Sequence, residues 1–296
     1  MFRQVLVGVG DDKGSRDAIA LSKLLAGGAA VTFGHIFYED TSAAPWGFED
    51  PRQGEAAREF LERLAEEAGV PAHLRWEGAP SVGRGLHEMA NAIDADLIVV
   101  GSSRHSRLGR VGVPDHTHAA LDGARCAVAV ATAGYATAGP AAVHEIGVGY
   151  DGSAESAHAL AVAKELAGEL GAKVSAFQAV AAPMFGYSGL STTQPSAATI
   201  EGMVKRAGEA MAGLGVDSRV TYGDPAEELT VYSASVDLLI MGSRGYGPIG
   251  RLFNGSTARS LASTARCPLL VLPRGARDPS AEPASQSSSD AMATTG

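Results

Sequence analysis

The sequence predicts an α/β protein made of two tandem domains, each a five-stranded parallel sheet with helices on both faces. Three observations lead to this prediction. Apolar runs typical of buried strands alternate with amphipathic segments typical of helices. The segments that connect them are mostly short, as they are in parallel sheets. The whole pattern then occurs a second time along the chain.

An internal repeat sets the expected domain boundaries. Three pairs of residues in matching contexts are each 141 positions apart: Val5 and Ile146, Gly101 and Gly242, Cys126 and Cys267. We therefore expect a first domain at 1–132, a linker rich in small residues at 133–143 and a second domain at 144–274. Residues 275–296 are rich in Ser, Ala, Pro and Thr and have little to bury, which predicts a disordered tail.

The elements of the first copy follow from local periodicity. Ala18, Leu21 and Leu25, for example, recur on one face of the first helix. The expected strands are 4–9, 30–37, 72–76, 96–100 and 127–131, and the expected helices are 15–26, 54–68, 82–93 and 117–121.

The second copy repeats this order. Its expected strands are 145–150, 173–180, 217–222, 237–241 and 268–272, and its expected helices are 156–170, 199–214, 225–235 and 257–264. Segment 181–196 is long and rich in Gly, Ser and Pro, so it could act as a lid. Ligands of such sheets bind beyond the carboxyl ends of the strands, where the strand order reverses. We therefore expect the segments after the first and fourth strands to form a site.

Composition narrows the class of protein. The chain has 296 residues, of which 45% are hydrophobic and 19% charged, as in soluble globular proteins. A net charge of −9 argues against a nucleic-acid-binding surface, and no apolar run is long enough to span a membrane. The first residues show no signal-peptide pattern, and Cys126 and Cys267 are expected to be reduced and buried, so we expect a cytoplasmic protein.

A glycine-rich segment after the fourth strand of the second copy is the strongest functional signal. The spacing Gly-x2-Gly-x9-Gly-Ser is carried by Gly242, Gly245, Gly255 and Ser256. Glycine permits close backbone approach, so successive N–H groups can converge on an anion, and the following helix start adds further donors. The segment is neither a Walker A loop nor a dinucleotide-binding turn. It predicts a phosphate-binding loop of another kind.

This loop resembles the ATP-binding signature of the universal stress protein family. The run Ile-Gly-Val-Gly-Tyr-Asp-Gly-Ser at 146–153 is similar to that family's first strand and adenosine-contacting turn. The run Arg-Cys-Pro-Leu-Leu-Val-Leu-Pro at 266–273 is similar to its last strand. The resemblance implies two Rossmann-like domains of the adenine nucleotide alpha hydrolase-like type. It also implies ATP as the ligand, and Mg2+ could accompany the triphosphate without a dedicated protein site.

The resemblance further implies individual roles in the second copy. Asp151 would contact the ribose or adenine, with Gly152 and Ser153 nearby, while Ala179 and Met241 would line the adenine pocket. The phosphate-binding residues would be Gly242, Gly245, Gly255, Ser256 and Thr257, with Arg244 and Arg251 available to neutralise charge. The alternative is that these glycines form a structural turn and that Asp151 caps a helix.

The first copy departs from this pattern. Arg104 replaces the second glycine, and Pro114 and Asp115 replace the Gly-Ser pair. Proline has no N–H to donate, and an aspartate places negative charge at a helix start that would otherwise bind an anion. Residues 10–12, Gly-Asp-Asp, replace the Asp-Gly-Ser turn at 151–153. We predict that this copy binds ATP weakly or not at all.

The altered loop of the first copy leaves two further readings open. Imidazoles and a carboxylate suit zinc or nickel, and the candidates are His105, Asp115, His116 and His118. However, residues two apart on a helix point in different directions, so exposed or capping histidines are the simpler reading, and we assign no metal site. The arginines at 104, 107 and 110 could bind a different anion.

Three functions fit these observations. The first is a nucleotide-dependent regulator or sensor in a stress response, in which ATP stabilises one state of a surface. The second is a slow ATPase or a nucleotide-dependent transferase. Phosphoryl transfer needs a group that orients the nucleophile, and residues 242–257 contain no Glu, Gln or His, which favours binding over turnover. The third is a structural pseudo-dimer that nucleotide merely stabilises.

The resemblance also implies how the copies associate. Members of the family typically pair through the last strand, and the two copies could do so within one chain. The runs at 127–130 and 269–272 are apolar enough to form such edges. A homodimer of the whole chain is a further option that the sequence leaves open.

Overall fold

The computed structural model describes residues 1–10, 13–39, 51–103, 106–112, 126–181, 195–243 and 256–273. The helices within these ranges are α1 (Lys13–Leu25), α2 (Pro51–Ala68), α3 (Val82–Ala92), α4 (Tyr135–Ala138), α5 (Ala154–Leu170), α6 (Ala197–Met211), α7 (Pro225–Tyr232) and α8 (Ser256–Thr264). The strands are β1 (Gln4–Gly8), β2 (Ala30–Tyr38), β3 (His73–Ala79), β4 (Leu97–Val100), β5 (Ala127–Val130), β6 (Glu145–Gly149), β7 (Lys173–Val180), β8 (Asp217–Tyr222), β9 (Leu238–Gly242) and β10 (Leu269–Leu272).

The described strands form one sheet in the order β3-β2-β1-β4-β5-β10-β9-β6-β7-β8. Each half contributes five parallel strands, and the halves meet where β5 pairs antiparallel with β10, with Leu270 opposite Ala129. The predicted fold class, two α/β repeats built on parallel strands, is confirmed. The structure adds that the two five-stranded groups are continuous with each other.

Most predicted element boundaries agree with the structure to within three residues. The strands predicted at 173–180 and 217–222 have those bounds. The helices predicted at 199–214 and 225–235 each end in a 3-10 turn, Ala212–Leu214 and Ser233–Ser235. The predicted helix at 117–121, most of the predicted lid at 181–196 and the predicted tail at 275–296 lie outside the described residues.

The core consists of two apolar clusters, one on each face of the sheet. The helices α1, α2 and α5 cover one face, where Leu61 and Leu166 are fully buried. The helices α3, α7 and α8 cover the other face, where Met89 and Leu261 are fully buried. Helices on both faces explain why the central strands are apolar throughout. Within the described ranges, no helix combines the length and apolarity that a bilayer span requires.

The segment predicted as a linker, 133–143, packs against the first half. It contains α4, and the Asp17 carboxylate of α1 accepts hydrogen bonds from the N–H groups of Gly134 and Ala136, both at 2.8 Å. Tyr135 is buried, and this burial raises the pKa of its hydroxyl to about 12. The connection between the repeats is therefore anchored, although its composition is that of a loop.

Both cysteines are free and buried, as the sequence predicts. Each lies just before the last strand of its half. Burial raises the pKa of the Cys126 thiol to about 12 and raises the pKa of the Cys267 thiol as well. The folded protein therefore favours the neutral thiols.

Strand ends in both halves pack directly on helix starts. A Cβ atom added to Gly101, after β4, would lie 1.9 Å from the carbonyl oxygen of Gly14 in α1. A Cβ atom on Gly242, in β9, would lie 2.6 Å from the carbonyl oxygen of Glu155 in α5. Because backbone atoms cannot move aside as a flexible side chain can, both positions require glycine.

We predict that Gly101→Ala destabilises the protein by about 2 kcal/mol or more, because the added methyl group overlaps a backbone carbonyl. Gly168→Ala, at an exposed position in α5 with open space around it, should instead stabilise by about 0.5–1 kcal/mol. Urea unfolding of the two variants measures both effects. Equal stability of the two variants would contradict the close contact at Gly101.

We also predict that the free energy of unfolding falls at alkaline pH. In the unfolded chain a thiol ionises near pH 8.5, whereas the raised pKa of Cys126 keeps it neutral in the folded state to about 12. The neutral thiol contributes its full stabilisation below about pH 8.5. Above this pH the contribution is lost, and the free energy of unfolding falls by about 1.5 kcal/mol between pH 8.5 and 10. Urea unfolding across this range should give a shallower decline for Cys126→Ala. An unchanged slope would rule out this coupling.

Candidate functional site

The site predicted in the second half lies where three parallel strands end. In β6, Gly149 pairs with Met241 of β9 on one side and with Phe177 of β7 on the other. The strand order reverses here, because the chain continues from β6 outward to β7 and β8 and then returns to β9. The turn after β6 and the loop after β9 therefore start side by side, where sheets of this kind bind ligands.

The turn at 151–153 is held by its own side chains. The Asp151 carboxylate accepts a hydrogen bond from the Ser153 N–H at 2.9 Å and another, very short, from the Ser153 hydroxyl. Gly152 has a φ of +80°, the left-handed region that favours glycine, and it is exposed with open space around it. Ser153, not Asp151, is the N-cap of α5. Asp151 shapes the turn that precedes the helix.

A residue that the sequence analysis missed supports this turn from below. Ser156 is 3% exposed, and its hydroxyl donates to the Ser153 carbonyl at 3.0 Å and accepts from the Asp151 N–H at 3.4 Å. Its counterpart in the first half, Ser15, bonds both backbone groups of Gly10. A serine at the same position of both repeats was the available signal, since a buried hydroxyl must find partners.

The predicted adenine-lining residues lie on one face of the sheet. Met241, at the end of β9, is 7% exposed, and Ala179, near the end of β7, is half-buried against the same apolar cluster. A Cβ atom on Gly149 would lie 3.5 Å from the Leu229 side chain of α7 and 3.7 Å from the Met241 Cβ. These apolar residues therefore pack together directly before the turn.

Phe177 is held in place next to these residues. Its ring stacks on that of Tyr232 from α7, with centroids 4.6 Å apart and planes 14° from parallel. The Tyr232 hydroxyl is 2.7 Å from the Ser175 hydroxyl. Burial raises the pKa of Tyr232 to about 12. Phe177 is therefore packed against α7, and the Ser175 hydroxyl also donates to the Glu145 carboxylate at 2.6 Å.

The remaining predicted residues belong to the loop after β9 and the start of α8. Ser256 is the first residue of α8, and Thr257, the second, is half-buried. Four predicted residues lie outside the described part of the chain, so their positions remain predictions: Arg244, Gly245, Arg251 and Gly255. The histidines at 105, 116 and 118 are outside it as well.

The corresponding loop of the first half is closed on itself. We call residues 101–103 and 106–112 the first-half loop. The Ser102 hydroxyl donates to the Ala131 carbonyl at 2.6 Å and accepts from the Gly112 N–H at 3.0 Å. The Ser103 N–H donates to the Gly112 carbonyl at 2.7 Å, which closes the loop at its base.

The tip of this loop is bonded in the same way. The N–H groups of Gly109 and Val111 donate to the carbonyls of Ala133 and Ala265, at 2.8 and 2.9 Å. The Arg110 N–H donates within the loop to the Arg107 carbonyl. The described amides of this loop are thus bonded to protein oxygens.

Side-chain size beside the turn differs between the halves in both directions. The strand register places Gly34 opposite Gly8 as it places Phe177 opposite Gly149. Two residues further on, Ile36 therefore corresponds to Ala179, and Ile36 is buried. A cleft of about 520 Å³ does exist in this half, between α1, α2 and the α4 segment, but no residue of β4 or the first-half loop lines it.

We predict that Ser156→Ala destabilises the protein by about 1–3 kcal/mol, because it removes both hydrogen bonds of a buried hydroxyl, to the Ser153 carbonyl and from the Asp151 N–H. The matched control is Ser263→Ala in α8, where an exposed hydroxyl makes one long bond of 3.3 Å to the Arg259 carbonyl. That variant should change the free energy of unfolding by less than about 0.5 kcal/mol. Thermal and urea unfolding test both, and two small, equal effects would mean that Ser156 does not support the turn.

Comparison with known proteins follows the same division into halves. A model of the universal stress protein family matches residues 1–132 and 143–273. A curated relative, the universal stress protein in the QAH/OAS sulfhydrylase 3' region of Thermus aquaticus, is 35% identical over 129 residues, which is 42% of this chain and 93% of the relative.

Two solved structures resemble the whole chain. A universal stress protein from Archaeoglobus fulgidus has a TM-score of 0.64 at 18% identity, covering 92% of this chain and 98% of its own. A functionally unknown protein from Pseudomonas aeruginosa PAO1 has a TM-score of 0.64 at 19% identity, covering 93% of each chain. At these identities the two structures support the fold.

Proposed function

The chain belongs to the universal stress protein family, and we propose that it is a nucleotide-dependent regulator or sensor in a stress response that binds ATP in its second half. The observation that carries the proposal is the meeting of the turn at 151–153 with the end of β9. Gly149 and Met241 are direct partners in the sheet, so the Asp-Gly-Ser turn and the glycine-rich loop start from neighbouring strands.

The chemistry of these two segments fits ATP. The turn offers the exposed backbone of Gly152 and the Asp151 carboxylate to a ribose or an adenine edge. The surface formed by Ala179 and Met241 is apolar and suits the face of a purine. The start of α8 would offer the first N–H groups of a helix and the hydroxyls of Ser256 and Thr257 to phosphate oxygens. When bound, Mg2+ would neutralise part of the triphosphate charge.

The first half serves a different purpose in this proposal. Pro114 and Asp115 stand where the second half has Gly255 and Ser256, which supports weak or absent ATP binding there. One nucleotide per chain is the expected stoichiometry. We further propose that the antiparallel contact of β5 with β10 is how the halves associate in solution, and that the protein is cytoplasmic, which its free thiols favour.

Exchange of the residues that differ between the repeats tests the site. Isothermal titration with Mg-ATP should show one site in the wild type. Ser256→Asp should weaken binding by about tenfold or more, because it puts a negative charge at the helix start that would hold phosphate. Asp115→Ser makes the reverse change at the corresponding position of the first half and should leave the affinity and stoichiometry unchanged.

Other results would count against the proposal. Two equal sites in the wild type would mean that both halves bind nucleotide. If titration of the wild type gives no heat of binding, ATP is not the ligand. Equal ATP affinity of Ser256→Asp and the wild type would mean that the start of α8 does not contact the phosphates. Release of phosphate well above background in the same samples would favour the slow ATPase over a sensor.

A further inference from the structure

The first-half loop ends on a helix of the other half. The Val111 N–H donates to the Ala265 carbonyl at 2.9 Å, and Ala265 directly follows the last residue of α8. The last carbonyls of a helix have no partner within the helix and need one from elsewhere. Here a residue of the first repeat supplies that partner to the second.

The contact is also apolar and buried. Val111 is 1% exposed and belongs to the same cluster as Leu261, Ala262 and Ala265, each of which is fully buried. The loop that carries Val111 is itself held in place by the Ser102 hydroxyl. This hydroxyl accepts a hydrogen bond from the Gly112 N–H and donates one to the carbonyl of Ala131, the residue after β5. The first-half loop therefore holds Val111 in a fixed position against the end of α8.

The second half supports the same helix end from another side. The hydroxyls of Thr264 and Thr230 are 2.8 Å apart, and the Arg266 N–H donates to the Ser233 hydroxyl at 2.9 Å. The end of α8 is thus held between α7 of its own half and Val111 of the other. Its start, about 13 Å away along the helix axis, carries Thr257.

We propose that the first-half loop is a positioning element for the nucleotide site of the second half, and that it acts through α8. The inference rests on the proposed function, because it assigns α8 a ligand at its start. A helix moves nearly as a rigid rod, so fixing one end limits the displacement of the other. Binding groups must be held to within about 0.5 Å to act together. The repeat that lacks the phosphate-binding signature thereby contributes to binding in the repeat that carries it.

Two variants loosen the support without touching the site. Val111→Pro removes the N–H that bonds the Ala265 carbonyl. Ser102→Ala leaves Val111 in place but releases the loop from β5, so it keeps the test valid if the proline variant does not fold. Each should weaken Mg-ATP binding by about 3- to 10-fold in isothermal titration of the full chain. Each should also speed hydrogen exchange at the amides of residues 258–264 in the absence of nucleotide.

The control separates positioning from general loss of stability. Leu61→Ala removes a fully buried side chain of α2, which belongs to the apolar cluster on the opposite face of the sheet from α8. It should lower the melting temperature at least as much as Ser102→Ala but leave the affinity and the exchange of α8 unchanged.

The outcomes distinguish the two proposals. If the wild type binds no nucleotide, the proposed function fails. If the wild type binds but Val111→Pro and Ser102→Ala bind equally well, the positioning role is wrong while the function stands. Equal weakening of binding by Leu61→Ala would mean that the effect follows from lost stability alone, and it would also overturn the inference.

Discussion

The backbone contact between Gly242 and Glu155 is the constraint on which the candidate site depends. It brings the end of β9 against the first turn of α5 so closely that no side chain fits between them. Because α5 begins directly after the turn at 151–153, the same contact places that turn beside the loop that leaves β9. The Asp151 carboxylate, the Ser153 cap and the Ser156 hydroxyl then fix the turn locally.

The two halves use one framework in two ways. Gly101 and Gly14 make the same strand-to-helix contact in the first half, so the scaffold of a site is present there as well. What differs is the chain that follows. The first-half loop makes backbone hydrogen bonds within itself, and its Val111 N–H donates to the Ala265 carbonyl at the end of α8 in the other half. A repeat can thus keep its fold while its loop sequence changes, because the loop lies outside the core of the sheet.

The sequence predicts elements well where the physical signal is local. Alternation of apolar runs with amphipathic segments gives the fold class, and strands such as 173–180 are predicted with their bounds. Helix ends are less certain because they depend on caps and on the final turn, as at Ala212–Leu214. The packing of α4 is not predictable in this way, since its N–H groups bond to Asp17, more than a hundred residues earlier. Ser156 could be found only by comparing the repeats, and the cross-contact of Val111 leaves no mark in local sequence.

The anchored connection between the repeats has a consequence for how concentration affects this protein. Asp17 and Tyr135 hold the segment between β5 and β6 against α1, so the two strand edges that pair, β5 and β10, are tethered within one molecule. A tether of this length gives each edge a local concentration of its partner in the millimolar range or above. On the pairing that we propose, dilution that would separate two single-repeat chains would leave the ten-stranded sheet of this chain intact, at any level of expression.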